Sequence, residues 1–115
     1  MKITIQSIRF DADIKLLNFI QKKANKLDQY FDQIVSGAVY LKLAKVEDEA
    51  NKICEIKLHV PGGTMFAKAQ CKSFEEATDL SVESLIKQIT RHKAKNRPKS
   101  FEHKEFLRTY EVAEY

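Results

Sequence analysis

At 115 residues the chain is one ordinary domain's worth, long enough for folding to bury about two-thirds of the surface its unfolded form would expose. With 43% hydrophobic and 31% charged residues, and only 3 Gly, 2 Pro and 2 Cys, its composition excludes collagen-like, disulfide-scaffold and wholly disordered classes. The formal charge of +4 is unevenly spread: residues 1–30 carry six Lys/Arg against three Asp, residues 31–86 six against nine acids, residues 87–100 six against none, and residues 101–115 two against four.

Residues 2–8 alternate, with Ile3 and Ile5 on one side and Thr4 and Gln6 on the other, which predicts a first strand with one buried face. The stretch lacks the continuous apolar core of a signal peptide, and no apolar run nears bilayer length. An intracellular, cytoplasmic protein with no membrane partner is therefore expected. From Asp13 the period changes: Leu16, Phe19, Ile20, Ala24, Leu27 and Phe31 recur at spacings of three and four. This predicts a helix over 14–31 with Asp13 as its cap. Lys15, Asn18, Lys22 and Lys26 form a polar stripe on its other side, with Lys23 at the margin.

Val39, Leu41 and Leu43 alternate with Tyr40 and Lys42 in a second strand, expected to lie beside the first. The acidic Glu47-Asp48-Glu49 stretch reads as an exposed turn. Cys54, Ile56, Leu58 and Val60 then alternate with Ile53, Glu55, Lys57 and His59 in a third strand. Taking Gly62-Gly63 as a two-residue hairpin loop predicts a fourth strand over 64–72. In that register Val60 opposes Met65, Leu58 opposes Ala67, Ile56 opposes Ala69 and Cys54 opposes Cys71, while His59 faces Phe66 and Lys57 faces Lys68.

Ser73 with Glu76 makes a capping box opening a second helix to about residue 95. Thr78, Val82, Leu85 and Ile89 face the core, and Ser84, Lys87, Arg91 and Lys95 line another face, joined by His92 and Lys93. Pro98 limits the helix, and residues 98–115 are expected to be a mobile tail. The fold class is α+β, in the order β-α-β-β-β-α. A four-stranded sheet carries two basic amphipathic helices packed on one face, all within residues 1–97.

The acid-free run from Lys87 to Lys99 points to a polyanion partner, because a merely solubilising surface normally mixes signs. Phe66, flanked by Lys57 and Lys68, could stack on a base or could simply shield the open sheet face. Cys54 and Cys71 read as reduced, packed thiols. His59, His92 and His103 have no partners at zinc-ligand spacing, and no phosphate loop or nucleophile elbow occurs. Neither catalysis, nor a cofactor, nor a metal, nor a small-molecule substrate is expected.

The segments Lys26-Leu27-Asp28-Gln29-Tyr30-Phe31-Asp32, Val39-Tyr40-Leu41-Lys42, Leu58-His59-Val60-Pro61-Gly62-Gly63 and Gln88-Ile89-Thr90-Arg91-His92-Lys93-Ala94-Lys95 closely resemble the bacterial ribosome hibernation-promoting factor family, which includes ribosome-associated inhibitor A. The likeness covers residues 1–97. It implies the same fold and a factor lodged in the decoding channel of the small ribosomal subunit, against ribosomal RNA, where messenger and transfer RNA would lie. It carries RNA contacts over to Lys23, Lys26, Lys87, Arg91, His92, Lys93 and Lys95, to which Lys22 is an addition. Ser84 stands where members often have Lys, and Glu75 where an aromatic is common. The tail matches neither the dimerising domain of the long form nor the acidic extension of the inhibitor, so the short form is nearest, expected to be monomeric off the ribosome. Whether ribosomes pair is left open. The other readings are a double-stranded-RNA-binding module and a protein–protein adaptor using the open sheet face.

Overall fold

A computed structural model describes residues 1–47 and 49–95, the last of these by its backbone alone. The expected tail at 98–115, and Asp48 of the acidic turn, lie outside the described residues. Strand β1 (Lys2–Ser7) is followed by helices α1 (Ile14–Asn25) and α2 (Leu27–Tyr30), strands β2 (Ser36–Leu43), β3 (Lys52–Val60) and β4 (Gly63–Cys71), and helix α3 (Phe74–Lys95). The strands form one sheet in the order β1-β2-β3-β4. The β1–β2 pair is parallel and the other two are antiparallel, so the sheet is mixed. A parallel pair needs a crossover, which α1 and α2 supply, whereas β3 and β4 need only a tight turn.

Alternation works as the sequence leads one to expect. Val39, Leu41, Cys54, Ile56, Leu58, Met65 and Ala67 are buried from the sheet, and Ile20, Ala24, Leu27, Val82, Leu85 and Ile89 are buried against them from the helices. Helix α1 packs beside β1, and α3 lies over β3 and β4. Among the described residues, no helix packs on the opposite sheet face. Gly37 permits a close approach within the core: a Cβ there would sit 2.8 Å from Ile3 Cδ1 and 3.0 Å from Leu58 Cδ2.

Both caps form as expected. The Leu16 N–H donates to Asp13 Oδ1 at 2.8 Å, and the Glu76 N–H donates to Ser73 Oγ at 3.1 Å. The single helix expected over 14–31 is broken at Lys26, whose N–H donates to the Lys23 carbonyl at 3.2 Å. That three-residue closure tightens the end of α1. Leu27 still reaches the core, while Phe31 lies beyond α2 in extended conformation. The break is invisible to a periodicity that Ile20, Ala24 and Leu27 satisfy on either side of it.

The hairpin register differs from expectation. Val60 opposes Gly63, so the loop is Pro61-Gly62, and every pairing shifts by two residues: Leu58 opposes Met65, Ile56 opposes Ala67, Cys54 opposes Ala69 and Cys71 opposes Lys52. Gly62 alone among the glycines has positive φ, at 86°. Proline before a glycine of that φ is the residue pattern of a type II turn, in which proline pre-sets the first angle. A shift of two preserves which face each residue occupies. It also replaces the unfavourable Lys57–Lys68 opposition with Glu55 opposite Lys68, and it places Lys57 rather than His59 against Phe66.

Cys54 and Cys71 are therefore diagonal neighbours on the buried face, not opposed ones, and both are free thiols. Burial pushes the thiol pKa of each above its ordinary value of 9.0; for Cys71 the nearby Glu76 charge adds to this. Native protein should react slowly with a thiol reagent, and denatured protein should yield two thiols. Rapid native labelling would contradict this packing. The unfolded chain would release these protons from about pH 9 while the folded chain keeps them. Their contribution to stability is thus complete below pH 9 and declines above it.

Candidate nucleic-acid interface

Helix α3 is built in two electrostatic halves. Glu75, Asp79, Glu83, Lys87, Arg91 and Lys95 follow one another at steps of four, a row that climbs the helix and changes sign midway. Acids near the N-terminus and bases near the C-terminus complement the helix dipole, and Glu83 followed by Lys87 is the favourable order for a pair four apart. Core contacts through Leu85 and Ile89, both fully buried, fix the cationic half to the sheet. Lys87 is exposed and Arg91 and His92 are half-buried.

Lys22 and Lys23 sit in the last turn of α1 and Lys26 at the break, where cations also suit the dipole. The polar stripe of Lys15, Asn18, Lys22 and Lys26 is exposed throughout. Lys23 turns instead toward α3: its Nζ lies 3.2 Å from Asp79 Oδ1 and 5.5 Å from the Phe19 ring centroid. An ion pair this open is worth about 1 kcal/mol or less, yet it cancels one cation of the interface.

Between these elements runs a groove of about 420 Å³ lined by Lys23, Lys26, Tyr30, Asp79, Val82, Glu83 and Ile86. Farther along α3, Lys93 Nζ donates to the Tyr30 carbonyl at 3.0 Å, closing the end of α2. His92 packs edge-on against Phe31 with ring centroids 5.4 Å apart. The structure thus brings Lys23, Lys26, His92 and Lys93 to the α1/α2–α3 seam. Lys22 lies on the outer stripe of α1, and Lys87 and Arg91 lie on α3 beyond the groove acids. Lys95 closes α3, and its side chain lies outside the description.

Sequence reasoning took both helices as uniformly basic on their outer sides and missed Asp79 and Glu83 as part of the surface. The steps of four from Glu75 to Lys95 held that signal. Tyr30, 43% exposed in the groove, was also missed as a lining residue. No group of three or more His, Cys, Asp or Glu able to hold a metal occurs among the described residues. No described helix is long and apolar enough to cross a membrane.

Against known proteins, the family model described as "Sigma 54 modulation protein / S30EA ribosomal protein" matches residues 3–97. The chain belongs to this family. Curated relatives named ribosome hibernation promoting factor include those of Salmonella typhimurium, 35% identical, and Escherichia coli K12, 34% identical. Each aligns over 95 residues, which are 83% of this chain and 96% of the relative. A ribosomal subunit interface protein from Coxiella burnetii superposes with a TM-score of 0.73 at 22% identity, covering 82% of this chain and 99% of that one, a likeness of fold. The N-terminal domain of Protein Y from Thermus thermophilus superposes with a TM-score of 0.69 at 25% identity, covering 80% and 99%. The family match spans the sheet from Ile3 onward, α3 and the whole candidate interface.

Proposed function

We propose that this chain is a ribosome hibernation factor that binds the small ribosomal subunit in the decoding channel and silences translation by occupying the space of messenger and transfer RNA. The observation that carries the reading is the cationic half of α3, held rigidly on the sheet beside the lysines that end α1. The names borne by the family relatives support the ribosome as the partner. Lys22, Lys26, Lys87, Arg91, Lys93 and Lys95 would meet phosphates. Lys23 is shared with Asp79, and His92 acts chiefly as a wedge against Phe31. Charge then supplies affinity while the shape of the packed helices supplies specificity.

Purified ribosomes titrated in a translation assay should stop at one bound copy each, reversibly and with intact RNA. Messenger and transfer RNA bound beforehand should slow the onset. Inhibition far below one copy per ribosome, or cleaved ribosomal RNA, would mean turnover rather than occupancy. Equal binding to a plain RNA duplex and to isolated small subunits would favour the double-stranded-RNA module. A partner retained after nuclease treatment would favour the adaptor.

A further inference from the structure

The open face of the sheet carries features that the helix interface leaves unused. Along one cross-strand row lie Thr4, Ala38, Lys57 and Phe66, each opposite the next. Thr4 and Ala38 are small, so the row is a low floor that rises to an aromatic ring at the β4 edge. Phe66 is 50% exposed. Its backbone is fixed from the other side, because Gln88 Nε2 of α3 donates to its carbonyl at 2.8 Å. An exposed apolar ring on an anchored backbone is a poor way to cover a sheet and a good platform for another flat group.

The charge around the ring selects the partner. Lys57 stands directly opposite, and Lys68 lies two residues along β4, about 6.8 Å away by strand geometry. Glu55 is the acid of this part of the face, and it is already engaged. Lys42 Nζ lies 3.1 Å from each of its carboxylate oxygens and Lys68 Nζ 4.0 Å from one of them. With Lys2 at the far edge, the strand residues of this face, all of them described, carry four lysines against that one carboxylate.

We propose that the open sheet face binds a single-stranded RNA segment, with an unpaired base stacked on Phe66 and the flanking phosphates held by Lys57 and Lys68. A duplex would not serve, because its bases are already stacked on each other, and a neutral apolar protein surface would leave the lysines unanswered. This second surface lies across the sheet from the helix interface, so one molecule could hold RNA on both sides. It depends on the ribosome reading only for which RNA provides the strand.

The chain has no Trp, so Phe66→Trp installs a single indole reporter at the platform. An unstructured oligoadenylate octamer should quench that fluorescence saturably, and an abasic octamer of equal charge should not. In the otherwise unaltered chain, Phe66→Ala should weaken octamer binding by roughly 5- to 100-fold, and Phe66→Tyr should restore it. Equal quenching by the abasic octamer, or an unchanged Kd for Phe66→Ala, would overturn the proposal. So would quenching by a peptide of residues 101–115 or by a second copy of the chain in place of the octamer. Cosedimentation of the same variants with small subunits separates the two readings. Absence of octamer binding by the unaltered chain, with its cosedimentation retained, overturns the sheet-face site alone. Quenching without cosedimentation upholds the site and overturns the ribosomal address.

Discussion

Lys87→Glu combined with Arg91→Glu is expected to weaken ribosome binding by at least about 100-fold while lowering the Tm by only a few degrees. Each residue would otherwise make a charge-assisted contact worth about 1.5–3 kcal/mol, and reversal adds repulsion from the same phosphates. The fold is insulated because Leu85 and Ile89, on another face of α3, carry the packing. Two contributions to the cost that remains come from charge along the helix itself. Glu83 would face a like charge four residues on, and acids would replace bases toward the C-terminal end of the helix, each worth under about 1 kcal/mol. Ribosome cosedimentation and thermal denaturation on the same preparations provide the check.

Salt dependence makes the same argument quantitative. Six phosphate-facing cations predict a log–log slope of affinity against salt of about −4 to −5, and the double reversal should flatten it by about two. Counting Lys23 and His92 as full contacts would steepen the slope toward −6 or −7, so the measurement also reads whether the Lys23–Asp79 pair persists in the bound state. An affinity indifferent to salt would remove the electrostatic account altogether.

What the sequence revealed follows from how physical signals are written in it. Face assignments depend on period alone, so every strand and both caps were legible, as was most of the core; Leu43, on the buried side of β2 by alternation, is 47% exposed at the end of the strand, and Ala77 and Ser81 are buried although no apolar period marks them. Register depends on which two residues turn the chain. Pro61-Gly62-Gly63 offers two adjacent choices that put the same residues on the same face. Patterning could not separate them, yet turn chemistry and the like-charge clash of Lys57 with Lys68 could have. The candidate interface is written in the sequence as a cationic block at 87–99, of which residues 96–99 lie outside the described residues. Its boundary is not, because the partner of Lys23 sits 56 residues away on α3, and only the packing of α1 on α3 brings Asp79 to it.

Ser81→Leu should have the opposite signature, lowering the stability of the fold while leaving binding by the folded protein intact. Helix α3 can approach β3 closely because Ala77, Thr78 and Ser81 present small side chains to it, all at most 1% exposed. The Ser81 hydroxyl donates to the Cys54 carbonyl at 3.1 Å. Next to it, the Thr78 hydroxyl donates to the Phe74 carbonyl at 2.7 Å and lies 3.6 Å from Cys54 Sγ. A leucine at 81 would overfill this contact, costing about 1–3 kcal/mol, and would forfeit a buried hydrogen bond worth about 1 kcal/mol more. At about 4–8 °C per kcal/mol for a domain of this size, the Tm should fall by roughly 10–25 °C. Ser81→Ala loses the bond without the overpacking and should fall by less than half as much. Below its own Tm the Leu variant should still bind ribosomes, because Lys87 and Arg91 are untouched; above it, binding should vanish together with the helical circular dichroism. A Tm within a few degrees of the parent would mean that α3 does not rest on β3 through these residues, and that the cationic half is carried by some other contact.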